Sequence, residues 1–283
     1  MSQTVERSAA GWTARQIRQR LGISTAIYQK KRLGAGEIAA IRDRGIRRIE
    51  LLIKQPSFDF EDCHQVSEVL GECEKQGVAI VSVHGSLELD YKAEDETTRR
   101  QVIGETLNSI RFAEEVGASV FVAHFGWNEN TERTVTELLG KTDGCRVRLT
   151  TENMAGKIER YLPVVEEIGT ERFGLTLDVG HARDAEGRNP FARKHRARRA
   201  LAQCGAGLLH LHLHETFDLE QKRDHWPPLH ERGIIAWGEV FAALRDIDYR
   251  GEFLFEDGRG EDPEEWSQMT GAFPESFVAR YAG

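Results

Sequence analysis

Short apolar runs rich in β-branched residues alternate along this chain with longer stretches in which apolar residues recur three and four positions apart. The runs are "GISTAIY" (22–28), "IRRIELLI" (46–53), "VAIVSVHG" (78–85), "SVFVAHFG" (119–126), "RVRLTTEN" (146–153), "FGLTLDVGH" (173–181), "LLHLHLHE" (208–215) and "GEFLFED" (251–257). Each reads as a strand. Between them, "GEIAAIRDRG" spaces Ile38 and Ile41 three apart, and "FEDCHQVSEVLGECEKQG" puts Val66, Val69 and Leu70 on one helical face. "TTRRQVIGETLNSIRFAEEVG" repeats Val102, Leu107, Ile110 and Phe112, and "KIERYLPVVEEIG" and "WGEVFAALRDI" behave alike. Glycines in "DRGI", "KQGV", "EVGA" and "EIGT" mark helix ends. In "EDPEEW", Asp262 is an N-cap, Pro263 the first helical position and Glu265 the third residue after the cap.

Eight strands alternating with helices imply parallel strands joined by crossovers. Count and length match a single (β/α)8 TIM barrel, typically about 250 residues. A doubly wound open sheet is the rival, but "GISTAIYQKKRLGAG" lacks the Gly-rich phosphate turn such a sheet carries after its first strand. The expected organisation is one α/β domain over residues 21–283, preceded by a short N-terminal helical extension over residues 1–20.

Composition narrows the picture further. The 283 residues are 40% hydrophobic and 30% charged, with a formal net charge of −8, which argues against sequence-independent nucleic-acid binding. Cys63, Cys73, Cys145 and Cys204 show no CxxC spacing, so neither a zinc ribbon nor a disulfide framework is expected. The polar N-terminus has no apolar signal region, and no stretch reaches the ~20 apolar residues of a membrane span. A cytoplasmic protein with reduced thiols is expected.

Active sites of such barrels lie at the C-terminal ends of the strands. The second strand ends in Glu50, the third in His84, the fourth in His124 and the fifth in Glu152. The sixth ends in Asp178 and His181, the seventh in the alternating His210, His212 and His214, and the eighth in Glu256. Alternation places Thr150 with Glu152, Thr176 with Asp178, and Leu254 with Glu256 on shared faces. Buried carboxylates must be paired or bound to a metal. Three of them converging with imidazoles suit one divalent cation, with Mn, Mg, Co and Zn all compatible.

The ordered motifs "TTENMAG", "LTLDVGHA", "HLHLHET", "DHWPP" and "FLFED" resemble the xylose isomerase-like TIM barrels, over roughly residues 22–257. That superfamily holds sugar (phosphate) isomerases and epimerases, related dehydratases and bacterial-type AP endonucleases. The resemblance to its single-metal epimerases implies Glu152, Asp178, His212 and Glu256 as metal ligands. It also implies Glu152 and Glu256 as catalytic carboxylates that move a proton next to a carbonyl, and His181 as a substrate contact. The resemblance to the AP endonucleases matches His84 and His124 to extra ligands of a trinuclear site. Their Asp-x-His after the seventh strand is matched only in part, because Arg223 stands two residues before His225. The loop "DHWPPLHERGIIAW" is longer than in the sugar isomerases by the inserted His230, Glu231 and Arg232, and is expected to close over the substrate.

The remaining candidates divide between binding and structure. His84, His124, His214, His225 and Trp226 are candidate substrate contacts, with His84 and His124 also open as ligands or supports. Glu50 either binds a substrate hydroxyl or pairs with a neighbour such as Arg47. His210 is expected one layer deeper, buried and hydrogen-bonded, and His214 at the pocket mouth beside Glu215. Trp127 and Trp237 either wall the pocket or pack in the core. "FARKHRARR" after Asn189-Pro190 reads as a solvated helix face or an anion patch, and "EDGRGED" as a weak phosphate cradle. Three functions follow: a metal-dependent isomerase or epimerase on a sugar, keto-sugar or polyol derivative, with a dehydratase or lyase as close variant; an AP-endonuclease-like zinc phosphodiesterase; and a non-catalytic binding barrel. Such barrels are commonly dimers or tetramers.

Overall fold

Gly45, Gly77, Gly117 and Gly169, the glycines that close four of the predicted helices, have φ of 78°, 63°, 78° and 57°. That left-handed backbone costs glycine nothing and stops a helix. The computed structural model describes residues 11–154, 156–193, 195–217, 224–256 and 262–281. Its strands are β1 (Leu21–Ser24), β2 (Arg48–Leu52), β3 (Ala79–His84), β4 (Val120–Ala123), β5 (Arg148–Glu152), β6 (Phe173–Asp178), β7 (Leu208–Leu213) and β8 (Phe253–Phe255). Its helices are α1 (Ala14–Arg18), α2 (Ala35–Asp43), α3 (Cys63–Gln76), α4 (Glu96–Glu115), α5 (Glu129–Lys141), α6 (Leu162–Ile168), α7 (Ala197–Cys204), α8 (Trp237–Asp246) and α9 (Pro263–Arg280). The strands close in sequence order into a barrel, and β8 returns to pair in parallel with β1. This is the expected (β/α)8 TIM barrel.

Two helices differ from the sequence reading. α5 has no counterpart in the apolar pattern, because two of its four buried residues are threonines, Thr131 and Thr134, beside Val135 and Leu138. Thr131 is satisfied there by donating to the Phe125 carbonyl at 2.6 Å. The helix expected from Asn189-Pro190 does not run on. Asn189 caps only a 3-10 turn, Pro190–Ala192, and α7 begins at Ala197, after His195 at φ 66°. The basic run is therefore split, with Phe191 and Ala197 buried and Arg196, Arg198 and Arg199 exposed. Asp262 caps α9 as expected, accepting from the Glu265 amide at 3.1 Å.

Residues 11–20 of the expected extension belong to the barrel floor. Trp12 donates its indole N–H to the Phe241 carbonyl at 2.8 Å and meets the Phe253 ring edge-on at 5.3 Å. Arg20 lies over the same Phe253 ring at 4.1 Å and donates to the Gly251 carbonyl. This closes the N-terminal end of the barrel and leaves the C-terminal end open. All four cysteines are free, and no helix among the described residues is long and apolar enough to cross a membrane. Trp12→Ala should lower stability by about 3–5 kcal/mol in urea unfolding, because it removes a buried aromatic plug and its hydrogen bond to the Phe241 carbonyl. An effect below 1 kcal/mol would mean that the floor holds without it.

Candidate active site

Strand register brings the site together. Across their paired segment β7 supplies one residue more than β6: Leu175 pairs with Leu208, but Thr176 pairs with His210 and Asp178 with His212. The extra residue is a bulge at Leu209, and it puts His210 and His212 beside Thr176 and Asp178. One step down from Glu152 and Asp178, the Thr150 and Thr176 hydroxyls share a 2.6 Å hydrogen bond. Glu256 follows β8, with its amide donating to the Leu213 carbonyl at 3.0 Å. Gly180 follows β6 closely, and a Cβ there would fall 2.0 Å from the His214 ring.

The result is a carboxylate–imidazole cluster at the open end of the barrel. Glu152, Asp178, His212 and Glu256 each offer a ligand atom, all within 4.8 Å of one another, and all four residues are buried. His212 Nδ1 lies 3.4 Å from Glu152 and 3.2 Å from Glu256, yet it has no hydrogen-bond partner, nor does Asp178 Oδ2. The other His212 nitrogen, Nε2, donates to Glu50 Oε2 at 3.1 Å, and Ser82 donates to the same oxygen at 2.8 Å. The Glu50 contact fixes the ring and leaves Nδ1 turned toward the carboxylates, as in metal-binding histidines. His84 Nε2 hydrogen-bonds Glu152 at 3.1 Å and His124 Nε2 lies 3.3 Å away. On the Asp178 side, His181 and His214 each approach at 2.9 Å, and His181 also hydrogen-bonds Asp224 at 3.0 Å. Among the described residues no lysine or arginine makes an ion pair with any of these carboxylates. Clustered carboxylates and a free imidazole nitrogen, with no lysine or arginine of the described residues ion-paired to them, form a donor set that fits a divalent metal.

The electrostatics reflect that crowding. Burial pushes the Glu152 carboxyl up, but the His212 charge and the close imidazoles of His124, His212 and His84 outweigh it and hold it well below the usual carboxylate range. Asp178 is likewise held low against burial, by His181 and His214. His84 rises to about 9, because Glu152 outweighs the burial that lowers it. His225 falls to about 4 through burial and the neighbouring His214 charge.

Residues 38–273 match the profile of the xylose isomerase-like TIM barrels. The chain belongs to that family. Over 190 residues it is 25% identical to Uncharacterized protein MJ1311 of Methanocaldococcus jannaschii, covering 60% of this chain and 61% of that protein. Solved structures of similar fold include D-psicose 3-epimerase with D-tagatose from Clostridium cellulolyticum H10. It is 18% identical, covers 92% of this chain and 94% of its own, and has a TM-score of 0.66. The zinc-binding IOLI protein is 16% identical, covering 93% and 99%, with a TM-score of 0.71. The probable 3-DHS dehydratase AsbF of Bacillus anthracis is 11% identical, covering 90% and 98%, with a TM-score of 0.72. At these identities the structural likeness is one of fold.

A cavity of about 240 Å³ opens over the cluster in this xylose isomerase-like barrel, lined by His84, His124, Glu152, His181, His225 and Glu256 among others. Several expected substrate contacts lie elsewhere. Glu50 is fully buried beneath His212 and pairs with imidazoles rather than with Arg47. β2 runs on to Leu52, so Glu50 is a mid-strand residue and its side chain lies in the layer below the cavity. His214 is fully buried behind Asp178, not at the mouth, because Gly180 lets the ring pack against the β6 backbone. Trp226 packs on Phe217, His230 and Trp266, and Trp237 is a core residue. Trp127 is 38% exposed, between Lys92 and Arg160. His210 is buried as expected, 3.5 Å from Glu50. The inserted His230–Arg232 forms a turn against Phe217 and Trp226, and His225 is the loop's contribution to the cavity wall. "EDGRGED" falls largely on 257–261, outside the described residues, as does Arg223. Asp224, Lys54 and Gln29 were missed. Asp224 was visible beside His225, but the other two follow strands whose motifs carry no signal.

Glu215 anchors the return of that loop. Its carboxylate accepts from the amides of Thr216 at 3.2 Å and Ile235 at 2.8 Å and from the Trp237 indole at 2.7 Å, while burial pushes its carboxyl up to about 7. A carboxyl whose folded value lies above its unfolded one keeps its proton in the native state after the unfolded chain has lost it. Stability therefore falls as pH rises through that window. Between about pH 4.5 and 7, wild type should lose on the order of 3 kcal/mol relative to Glu215→Gln. Parallel pH profiles of unfolding for the two proteins would exclude this.

Proposed function

We propose that this barrel is a metal-dependent isomerase or epimerase that moves a proton next to a carbonyl in a small sugar, keto-sugar or polyol derivative. The observation that carries the reading is a division within the four-residue cluster. Glu152 and Glu256 line the cavity, whereas Asp178 and His212 do not. Asp178 and His212 are thus placed to hold a cation only, and Glu152 and Glu256 to hold it and also to touch a substrate.

A divalent ion held by Glu152, Asp178, His212 and Glu256 (Mn, Mg, Co or Zn) would supply Lewis acidity toward a carbonyl oxygen. The chain's own groups do the rest. Glu152 and Glu256 stand on β5 and just beyond β8, so they approach the cavity from different strands, and one accepts a proton while the other returns it. His84 and His124 orient Glu152. His225 presents its Nε2 to substrate hydroxyls in the same cavity, and His181, held between Asp178 and Asp224, forms part of its wall. The epimerase with D-tagatose and the zinc-binding protein among the similar folds support the reading by analogy. A dehydratase would use the same groups, with loss of water replacing reprotonation.

A second reading rests on the contiguous cluster of His84, His124 and Glu152, whose ligand atoms also lie within 4.8 Å. Two or more ions sharing Glu152 would suit a phosphodiesterase of the AP-endonuclease kind. Purified protein should contain one divalent ion per chain by elemental analysis, and should incorporate deuterium from D2O at a ketose carbon, followed by NMR. Glu152→Gln and Glu256→Gln should each slow that exchange by about 10²–10⁴-fold. Absence of exchange across a panel of ketoses and keto acids would end the proton-transfer reading. Two or more ions per chain together with cleavage of abasic duplex DNA would establish the second.

A further inference from the structure

The cavity wall contains one cation that the proton-transfer reading does not use. Lys54 and Gln29 line the cavity together with the imidazoles and carboxylates, and no other lysine or arginine among the described residues does so. The Lys54 ammonium donates to Gln29 Oε1 at 2.7 Å, a neutral acceptor. No carboxylate of the described residues lies within ion-pair distance of it. An ammonium has three donors, so two remain for a ligand.

The backbone holds this pair in place. The Lys54 amide donates to the Phe58 carbonyl at 3.1 Å and the Phe58 amide to the Lys54 carbonyl at 2.9 Å. The Gln65 side chain ties down the intervening turn by donating to the Ser57 carbonyl at 2.6 Å. Gln29 follows the 3-10 turn Thr25–Tyr28, and its amide bonds the Ala26 carbonyl at 3.0 Å. The ammonium is thus presented from two tight turns, as a binding group is when it is organised in advance.

Glu152 and Glu256 face the same cavity and repel an anion, so an anionic ligand entering there needs a cation of its own. We infer that Lys54, oriented by Gln29, binds an anionic group of the substrate, a carboxylate or a phosphate. This makes the substrate an acidic or phosphorylated sugar derivative rather than a neutral sugar. The inference relies on the proposed function only for the identity of the cavity.

The test is equilibrium binding by calorimetry, which requires no turnover. The probes are D-fructose, D-fructose 6-phosphate and D-glucuronate, against wild type, Lys54→Gln and Lys54→Arg, with melting temperatures confirming that the variants fold. One or both anionic probes should bind wild type about 10- to 100-fold more tightly than fructose. Lys54→Gln should abolish that advantage and leave fructose binding unchanged, and Lys54→Arg should restore part of it. Preference for the phosphate or the acid identifies the anion. Equal binding of all three probes, equal weakening of all three by Lys54→Gln, or binding of none overturns the inference. If charge selectivity depends on Lys54 but no deuterium enters any ligand, the anion site stands and the proton-transfer reading falls. If exchange occurs without charge selectivity, the reverse holds.

Discussion

Glu50, Glu152, Asp178 and Glu256 are carboxylates removed from water at the open end of a barrel, and among the described residues no lysine or arginine is ion-paired to them. Removing such charges from water costs several kcal/mol each unless they are compensated. The surrounding architecture is arranged around that compensation. Seven histidines supply the partners, and the strands are set in register so that imidazoles from β3, the β4 end, β6 and β7 reach the same few ångströms. An arrangement with this much negative charge and, among the described residues, no ion-paired lysine or arginine suits a cation. As a purely structural core it would be poor, because packed apolar side chains would fill the same space at lower cost.

The supporting structure is built from ordinary devices. A bulge at Leu209 corrects the phase between β6 and β7. Gly180 admits the His214 ring behind Asp178. Glu50 and Ser82 lie below, so the ring of His212 is held from the side opposite the carboxylates. Glu215 gathers the loop after β7, which brings His225 to the cavity and Asp224 to His181. Trp12 and Arg20 close the other end, which restricts access to the C-terminal mouth. These contacts place function on rigid strands and leave specificity to short loops, the usual division of labour in barrels of this kind.

The pattern of apolar runs and glycine stops was sufficient to read eight strands and most of the helices. Burial in a parallel barrel demands continuous apolar strands, and helix ends demand left-handed residues. α5 escaped because buried threonines replaced the apolar stripe that marks a helix. The helix at Pro190 was read too early, since a good N-cap also serves a single 3-10 turn. For the candidate site, Glu152, Asp178, His212 and Glu256 were legible because each stands within one residue of a strand's C-terminal end, and strand ends in a closed barrel converge. Glu50 was read as a strand end, but β2 runs on to Leu52, so Glu50 lies in the layer beneath the cavity, a height in the barrel that the apolar run alone does not reveal.

The sequence by itself determined the fold class, the strand order and the set of acidic and imidazole side chains at one end of the barrel. These follow from periodicity and chain order, which are local. Only the tertiary structure decided which imidazole supports which carboxylate, that Glu50 and His214 lie behind the site rather than in it, and that Lys54 joins Gln29 on the cavity wall. Those outcomes depend on barrel stagger, register shifts between neighbouring strands and loop return paths, which are set by packing between segments far apart in the chain and leave no periodic trace in any one of them.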